Sequence, residues 1–448
     1  MSFNWKVIVV VLITWIVSCK PDLDEPRYTS GQAVFTRFVA IGDDFGSGFS
    51  DGALTRNSQF SAVPAILAAK FQLAEGGEFT QALMQDGSGA GYDFISNSLT
   101  GSAYLSSYIN CQNKSSLKIL KNTFDSRSLN WLGANHYNNY CIPGLKSFQA
   151  YSQFTGKSYP TGNIFYHRLA SDTGVSGLSS TVLGDAQYAN PTFVMVWIGA
   201  SDVYNYAFSG GAGEVGGLNT FDITPVDTFE AAINYIFDGL TGAGQKGIVA
   251  NIPEISTVPY FNALPYNALK LTAQQANDLN AVSPPGISFA EGNNALVIAE
   301  PTGGIIRQIK RGEYILNIIN ADSITCGGWG TPQKPIPANF VLDSLEVSKI
   351  SNRIAIFNSD IRNAAVNKGF AFFDFNLFMA NLNNGYSYSG VSSTSNMFYG
   401  GAISLDGYHL SSKGYAMVAN ECVKVINAKY KSNLPLVNIV DYSGVIFP

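Results

Sequence analysis

Apolar residues fall into short blocks separated by long polar stretches, and the blocks carry two different periodicities. Residues 192–199 (Thr-Phe-Val-Met-Val-Trp-Ile-Gly) are apolar at consecutive positions, the pattern of a strand buried on both faces in a parallel sheet. Residues 35–41, 247–253 and 370–375 read as three further strands. Helices are predicted around 64–71, over 224–240 with a proline near the first turn, from 343 to 367, and from just after residue 409 to near 427. Strand and helix alternate in this order, which predicts an α/β domain with a parallel central sheet and helices on both faces. About half the chain suffices for this core. The rest forms four insertions at 74–137, 146–190, 204–222 and 254–340, rich in Gly, Asn, Ser and Tyr. Insertions of this length usually carry function or cap a site. No linker interrupts 34–448, so one domain with elaborations is expected.

The N-terminus is a targeting segment. Lys6 precedes an apolar run from Val7 to Val17 that is too short to span a bilayer and long enough for a signal sequence. The run ends in Ile16-Val17-Ser18-Cys19, which resembles a bacterial lipobox, so residues 1–18 are expected to be removed and Cys19 acylated. Residues 19–33 read as a flexible tether. Its Lys20-Pro21-Asp22-Leu23-Asp24-Glu25 segment is similar to the export tags of Bacteroidota surface lipoproteins. No second apolar run is long enough for a membrane helix, and the anchor expected is the acyl chain alone.

Composition narrows the class. Of 448 residues 46% are hydrophobic and only 13% are charged, which suits a secreted or surface protein with a large core. The net charge of -5, with no basic cluster, excludes a nucleic-acid partner. Besides Cys19 there are Cys111, Cys141, Cys326 and Cys422, whose spacings fit no metal motif. Cys422 lies in the closing helix and reads as a buried hydrophobe; Cys111 with Cys141 is the pair to consider for a disulfide. His136 and His167 fall in insertions without acidic clusters, so neither a metal site nor a cofactor is expected. The loop Tyr, Trp and Asn residues suit stacking on sugars or lining a lipid-accepting cleft, although such residues more often serve as packing within large loops.

Two separated motifs carry the chemistry. In Phe38-Val39-Ala40-Ile41-Gly42-Asp43-Asp44-Phe45-Gly46-Ser47-Gly48 an apolar run stops at a glycine and turns. The first side chains after the turn are presented at the C-terminal edge of the sheet. Near the other end, Asp406-Gly407-Tyr408-His409 opens the last helix. Together these resemble the first and last blocks of the SGNH (GDSL-type) hydrolase superfamily. The ending Pro435-Leu436-Val437 to Phe447-Pro448 looks like that of a group of Bacteroidota lipoproteins in it. The resemblance implies a three-layer α/β/α, flavodoxin-like fold and an esterase or lipase lineage acting on lipid or acyl-glycan esters.

By that resemblance the site markers are a nucleophilic Ser, a Gly, an Asn and a His. Order along the chain places them at Asp44, at Gly144, at Ser201 in Gly199-Ala200-Ser201-Asp202, and at His409, with Asp406 orienting the imidazole. Two positions depart from the pattern: Asp44 lacks the serine hydroxyl, and Ser201 replaces an amide that would help hold an oxyanion. Ser47 and Ser50, several residues away, are too far along the turn to substitute. Asp44 is then an ion-pair partner of His409, a residue of a weakened or altered hydrolase site, or a carboxylate nucleophile. The chain is accordingly expected to be an outer-membrane lipoprotein, on the periplasmic or the cell-surface face. It has either a hydrolase-like site that is degenerate or a retained cleft used for binding, as an accessory partner of an outer-membrane β-barrel.

Overall fold

A computed structural model of the protein describes residues 27–448 apart from 94–97, 159, 243, 302, 318, 320 and 389. Residues 1–26, which hold the expected signal sequence, Cys19 and the first part of the expected tether, lie outside the described residues. Five parallel strands form the central sheet: β1 Phe38–Gly42, β2 Asn139–Cys141, β3 Phe193–Trp197, β4 Lys246–Ala250 and β5 Ala371–Phe373. Their spatial order is β2-β1-β3-β4-β5, the flavodoxin-like arrangement. Register sets Ile41 beside both Tyr140 and Val196, and every residue of β1 and β3 is buried. That burial is why their sequences lack alternation.

Helices cover both faces, giving the three-layer α/β/α fold. On one face α1 (Val63–Gln72) packs against α6 (Ser412–Tyr430). On the other, α4 (Val226–Leu240) lies between α2 (Val182–Tyr188) and α5 (Ser344–Lys368). Phe229 of α4 stacks on Phe357 of α5 with ring centroids 3.7 Å apart. Helix α5 starts where Asp343 caps it in a capping box with Glu346, and stops at Gly369, whose φ of 66° lets the chain leave the helix. Three elements were not apparent from hydrophobic patterning, one of them α2, which lies within the expected insertion 146–190. Strand β2 has only three residues, two of them Asn and Cys. Helix α3 (Ser201–Phe208) begins inside the Gly199–Asp202 motif and is buried along most of its length.

The tether is not free throughout. Gln32 N–H donates to the Tyr430 carbonyl at 2.7 Å, and Asn433 bonds both Thr29 and Arg27, so this part of it is stitched to the end of α6. The expected Cys111–Cys141 pair does not form. Cys141 ends β2 with its thiol buried under the helical turn Asp44–Ser47; a Cβ on Gly46 would come within 2.3 Å of the Cys141 sulfur. Cys111 instead sits at the tip of the hairpin Ala103–Ile109/Ser115–Lys121 and is joined to Cys326, with Cα atoms 6.3 Å apart. The bond fastens the first insertion to the fourth, as does the Tyr108 hydroxyl on Asp322 at 3.0 Å. The fourth insertion has a small core of its own around Leu296, Ile298 and Ile336. Cys422 is buried and unpaired, as its helical position implied. Among the described residues, no helix is long and apolar enough to cross a membrane.

Candidate active site

The cleft lies at the C-terminal ends of β1, β2 and β3, beside the point where strand order reverses. Open α/β sheets bind ligands there because the loops diverge. Backbone proximity builds its floor. A Cβ on Gly42 would fall 2.1 Å from the Trp197 carbonyl, so only glycine lets β1 end against β3. Asp43 then turns inward: its N–H donates to the Trp197 carbonyl, and its Oδ2 accepts from Gly199 N–H at 2.9 Å and Ala200 N–H at 2.8 Å. Asp43 thus ties the β1 and β3 loops together. Burial, then the neighbouring Asp44 charge, push its carboxyl well above the ordinary range.

Asp44 faces the cleft. Its Oδ1 accepts from Gly144 N–H at 2.7 Å and its Oδ2 from the Ser201 hydroxyl at 3.1 Å; its own backbone N–H also bears on the carboxylate. Gly144 can aim that N–H inward because it adopts φ 73°, a left-handed conformation natural to glycine. Burial raises the Asp44 carboxyl above its usual range, while the charge of His409 and these donors oppose the rise.

Asp406 and His409 form the other half. His409 Nδ1 lies 2.9 Å from Asp406 Oδ2, and Asp406 also accepts from the N–H groups of Tyr408, His409 and Gly52 at 2.8–2.9 Å. Burial works against the charge of Asp406, but His409 and the N–H donors outweigh it and hold the carboxyl below the usual range. With Nδ1 engaged, Nε2 of His409 is left buried and without a hydrogen-bond partner. No ion pair joins Asp44 to His409: the carboxylate is taken up by Gly144 and Ser201, and its effect on the imidazole is through space.

All five candidate residues, Asp44, Gly144, Ser201, Asp406 and His409, therefore line one cleft of about 930 Å³. Ser47 and Ser50 do not; the Ser47 hydroxyl is turned inward onto the Asp44 carbonyl at 2.7 Å. Each of the four insertions supplies a wall, through Ile119, Phe154, Phe221 and Tyr260 in turn. His136 stacks on Tyr188 and His167 bonds the Gly156 carbonyl, both away from the cleft. Among the described residues no cluster of His, Cys, Asp or Glu is able to hold a metal.

Three supporting acids escaped sequence reasoning. Besides Asp43, Asp202 accepts from Ser147 N–H, the Ser147 hydroxyl and the Thr224 hydroxyl at 2.7–2.9 Å, fixing the loop after β2 to α3. Asp51 accepts from Leu405 N–H at 2.8 Å and ties the Asp44 loop to the Asp406 loop. The available signal was the doubled Asp43-Asp44 itself, since only one of two adjacent acids faces the cleft and the other must find backbone donors.

Burial lifts Asp51 and Asp202 to about 6 each, from 3.8 when free. Between about pH 4 and 6 the folded chain holds more protons than the unfolded chain, so stability falls as pH rises through that window. Each carboxyl contributes on the order of 2 kcal/mol to this loss. Asp406 has the opposite sign: its contribution is complete above its free value of 3.8 and fades only below it. Denaturant titrations should thus give a more stable protein near about pH 4.5 than near about pH 7.5, with a shallower slope in Asp202→Asn. Stability that climbs steadily across the interval contradicts these assignments.

The model of the GDSL-like Lipase/Acylhydrolase family matches residues 39–422. Among solved structures, the chain is similar to the lipase/acylhydrolase from Enterococcus faecalis, at 10% identity over 90% of this chain and 100% of that one, with a TM-score of 0.32. No curated protein matches.

Proposed function

We propose that this chain, which belongs to the GDSL-like lipase/acylhydrolase family, takes acyl-bearing ligands into its cleft without hydrolysing them through a serine-type acyl-enzyme. Lipid esters and acylated glycans are the ligand classes that suit a cleft walled by aromatic side chains. One observation carries the reading. The carboxylate of Asp44 stands at the nucleophile position and occupies the donors, Gly144 N–H and the Ser201 hydroxyl, that an ester oxyanion requires. A serine hydrolase lowers its barrier by forming a covalent acyl intermediate and by holding the oxyanion. Here the hydroxyl is missing and an anion already fills the hole. Attack by the carboxylate on an ester gives an anhydride, a poor intermediate.

The full chain in detergent should therefore hydrolyse short-chain acyl esters no faster than the blank and take no label from a fluorophosphonate. Robust turnover that disappears in His409→Ala sinks the reading.

The proposal extends to location. The short apolar run and the Ile16-Val17-Ser18-Cys19 sequence support an acylated Cys19 and an outer-membrane lipoprotein of the Bacteroidota type, able to partner an outer-membrane β-barrel. Mass spectrometry should find the mature N-terminus at an acylated cysteine. A Cys19→Ala chain that remains in the membrane fraction counts against it.

A further inference from the structure

Besides Asp43 Oδ1, which lies under the floor, two polar groups near Asp44 are buried without partners: Nε2 of His409 and the hydroxyl of Tyr408. Both residues line the cleft, and both interact electrostatically with the Asp44 carboxylate. A buried polar atom left unpaired costs about 1–3 kcal/mol, so a pair of them in one cleft asks for an explanation. In a neutral imidazole whose Nδ1 proton is held by Asp406, Nε2 offers a lone pair; the Tyr408 hydroxyl is a donor. Binding an ester does not require both.

The two oxygens of Asp44 are also unequal. Oδ1 sits 2.7 Å from Gly144 N–H, whereas Oδ2 accepts from the Ser201 hydroxyl at the longer distance of 3.1 Å. If Oδ2 formed an ester with a ligand carbon, the carbonyl of that ester would already lie on the Gly144 donor. Such a carbonyl is polarised for attack by water, and the oxyanion that develops stays on the same N–H.

We propose that Asp44 is a carboxylate nucleophile toward a saturated, electrophilic carbon, with an apolar epoxide as the substrate class. The inference rests on the reading above that Asp44 stands in place of serine. Asp44 Oδ2 attacks a ring carbon, forming a C–O bond as the ring C–O bond breaks. The released electron pair goes to the ring oxygen, which takes the Tyr408 proton. In the second step His409 Nε2 removes a proton from water, and the hydroxide adds to Cγ of Asp44. The tetrahedral intermediate expels the diol, restores the carboxylate, and the proton on His409 returns to Tyr408. The sum is epoxide plus water to diol, with no other reactant. The choice of an epoxide follows from the unpaired hydroxyl, which matches a leaving oxygen, and from the aromatic walls, which match an alkyl chain.

The test uses the full chain in detergent with dodecene oxide at about pH 8, above the ordinary range of a free imidazole. In heavy-oxygen water, with protein in excess over epoxide, the first diol released should carry ordinary oxygen from Asp44. The peptide containing Asp44 should take up the heavy isotope. In His409→Gln the ester should accumulate to nearly one alkyl adduct per chain at Asp44, against a trace in wild type, and Asp44→Asn should take none. The wild-type isotope measurement needs no variant to fold. No isotope in the Asp44 peptide, or an adduct that survives in Asp44→Asn, overturns the proposal. Inertness toward epoxide and ester alike removes this inference and leaves the ester reading standing. Ester turnover with fluorophosphonate labelling removes the reading beneath it.

Discussion

Asp44→Ser combined with Ser201→Asn should raise hydrolysis of short acyl esters by about 100-fold over wild type, while each change alone stays within about tenfold. The argument starts from His409. Its Nδ1 is already held by Asp406 and its Nε2 has no partner, so the base is oriented and waiting for a proton donor. A serine at position 44 supplies that hydroxyl. It also vacates Gly144 N–H, which the Asp44 carboxylate now occupies at 2.7 Å. Ser201 at present donates to Asp44 from 3.1 Å. An asparagine there restores a longer amide reaching into the space the carboxylate leaves, and one oxyanion donor is typically worth about 3 kcal/mol. Nucleophile and oxyanion site act as a unit, so the gain appears only when both are present. Steady-state rates for wild type, the two single variants and the double variant decide it. A double variant no faster than the better single one means that the cleft cannot present an ester to position 44.

Asp406→Ala should destabilise the fold by about 4 kcal/mol, well beyond the cost of His409→Ala at about 1 kcal/mol. The Asp406 carboxylate accepts four hydrogen bonds, from His409 Nδ1 and from the N–H groups of Gly52, Tyr408 and His409. Removing it leaves three backbone donors without acceptors in a buried region and unties residues 404–409 from the loop after β1. His409→Ala breaks only one of these bonds, although it also withdraws a ring packed 4.8 Å from Phe49. Asp406→Asn keeps one acceptor oxygen and should fall between. Denaturant unfolding at neutral pH gives the three values. If His409→Ala proves the more damaging, Asp406 serves only to orient the imidazole and does not hold the two loops together.

How much of this was legible in the chain differs from element to element. Strands β1, β3, β4 and β5, and helices α1, α4, α5 and α6, were placed from apolar runs and caps within a few residues of their observed bounds. The helix signals are local: Asp343 with Glu346, or a proline beside the first turn, act within one turn of chain and are readable wherever they occur. Strand β2 was missed because it is short and draws its stability from pairing with β1, which no local pattern encodes. The pair Asp406–His409 was readable for the same local reason, since the two stand three positions apart and the turn closes on itself.

Sequence alone determined the layered α/β architecture and the residue types at the five candidate positions, with an aspartate at position 44. Those are properties of residue type and order. Only the tertiary structure decided what the Asp44 carboxylate touches. Asp44 bonds Gly144 and Ser201 across separations of 100 and 157 residues in place of pairing with His409. Cys111 reaches Cys326 across 215 residues in place of Cys141, because β2 holds Cys141 under the floor of the cleft. Such choices depend on which donors and which thiol the folded chain brings within bonding distance, and distance in space is set by the sheet order, not by the spacing of residues along the chain.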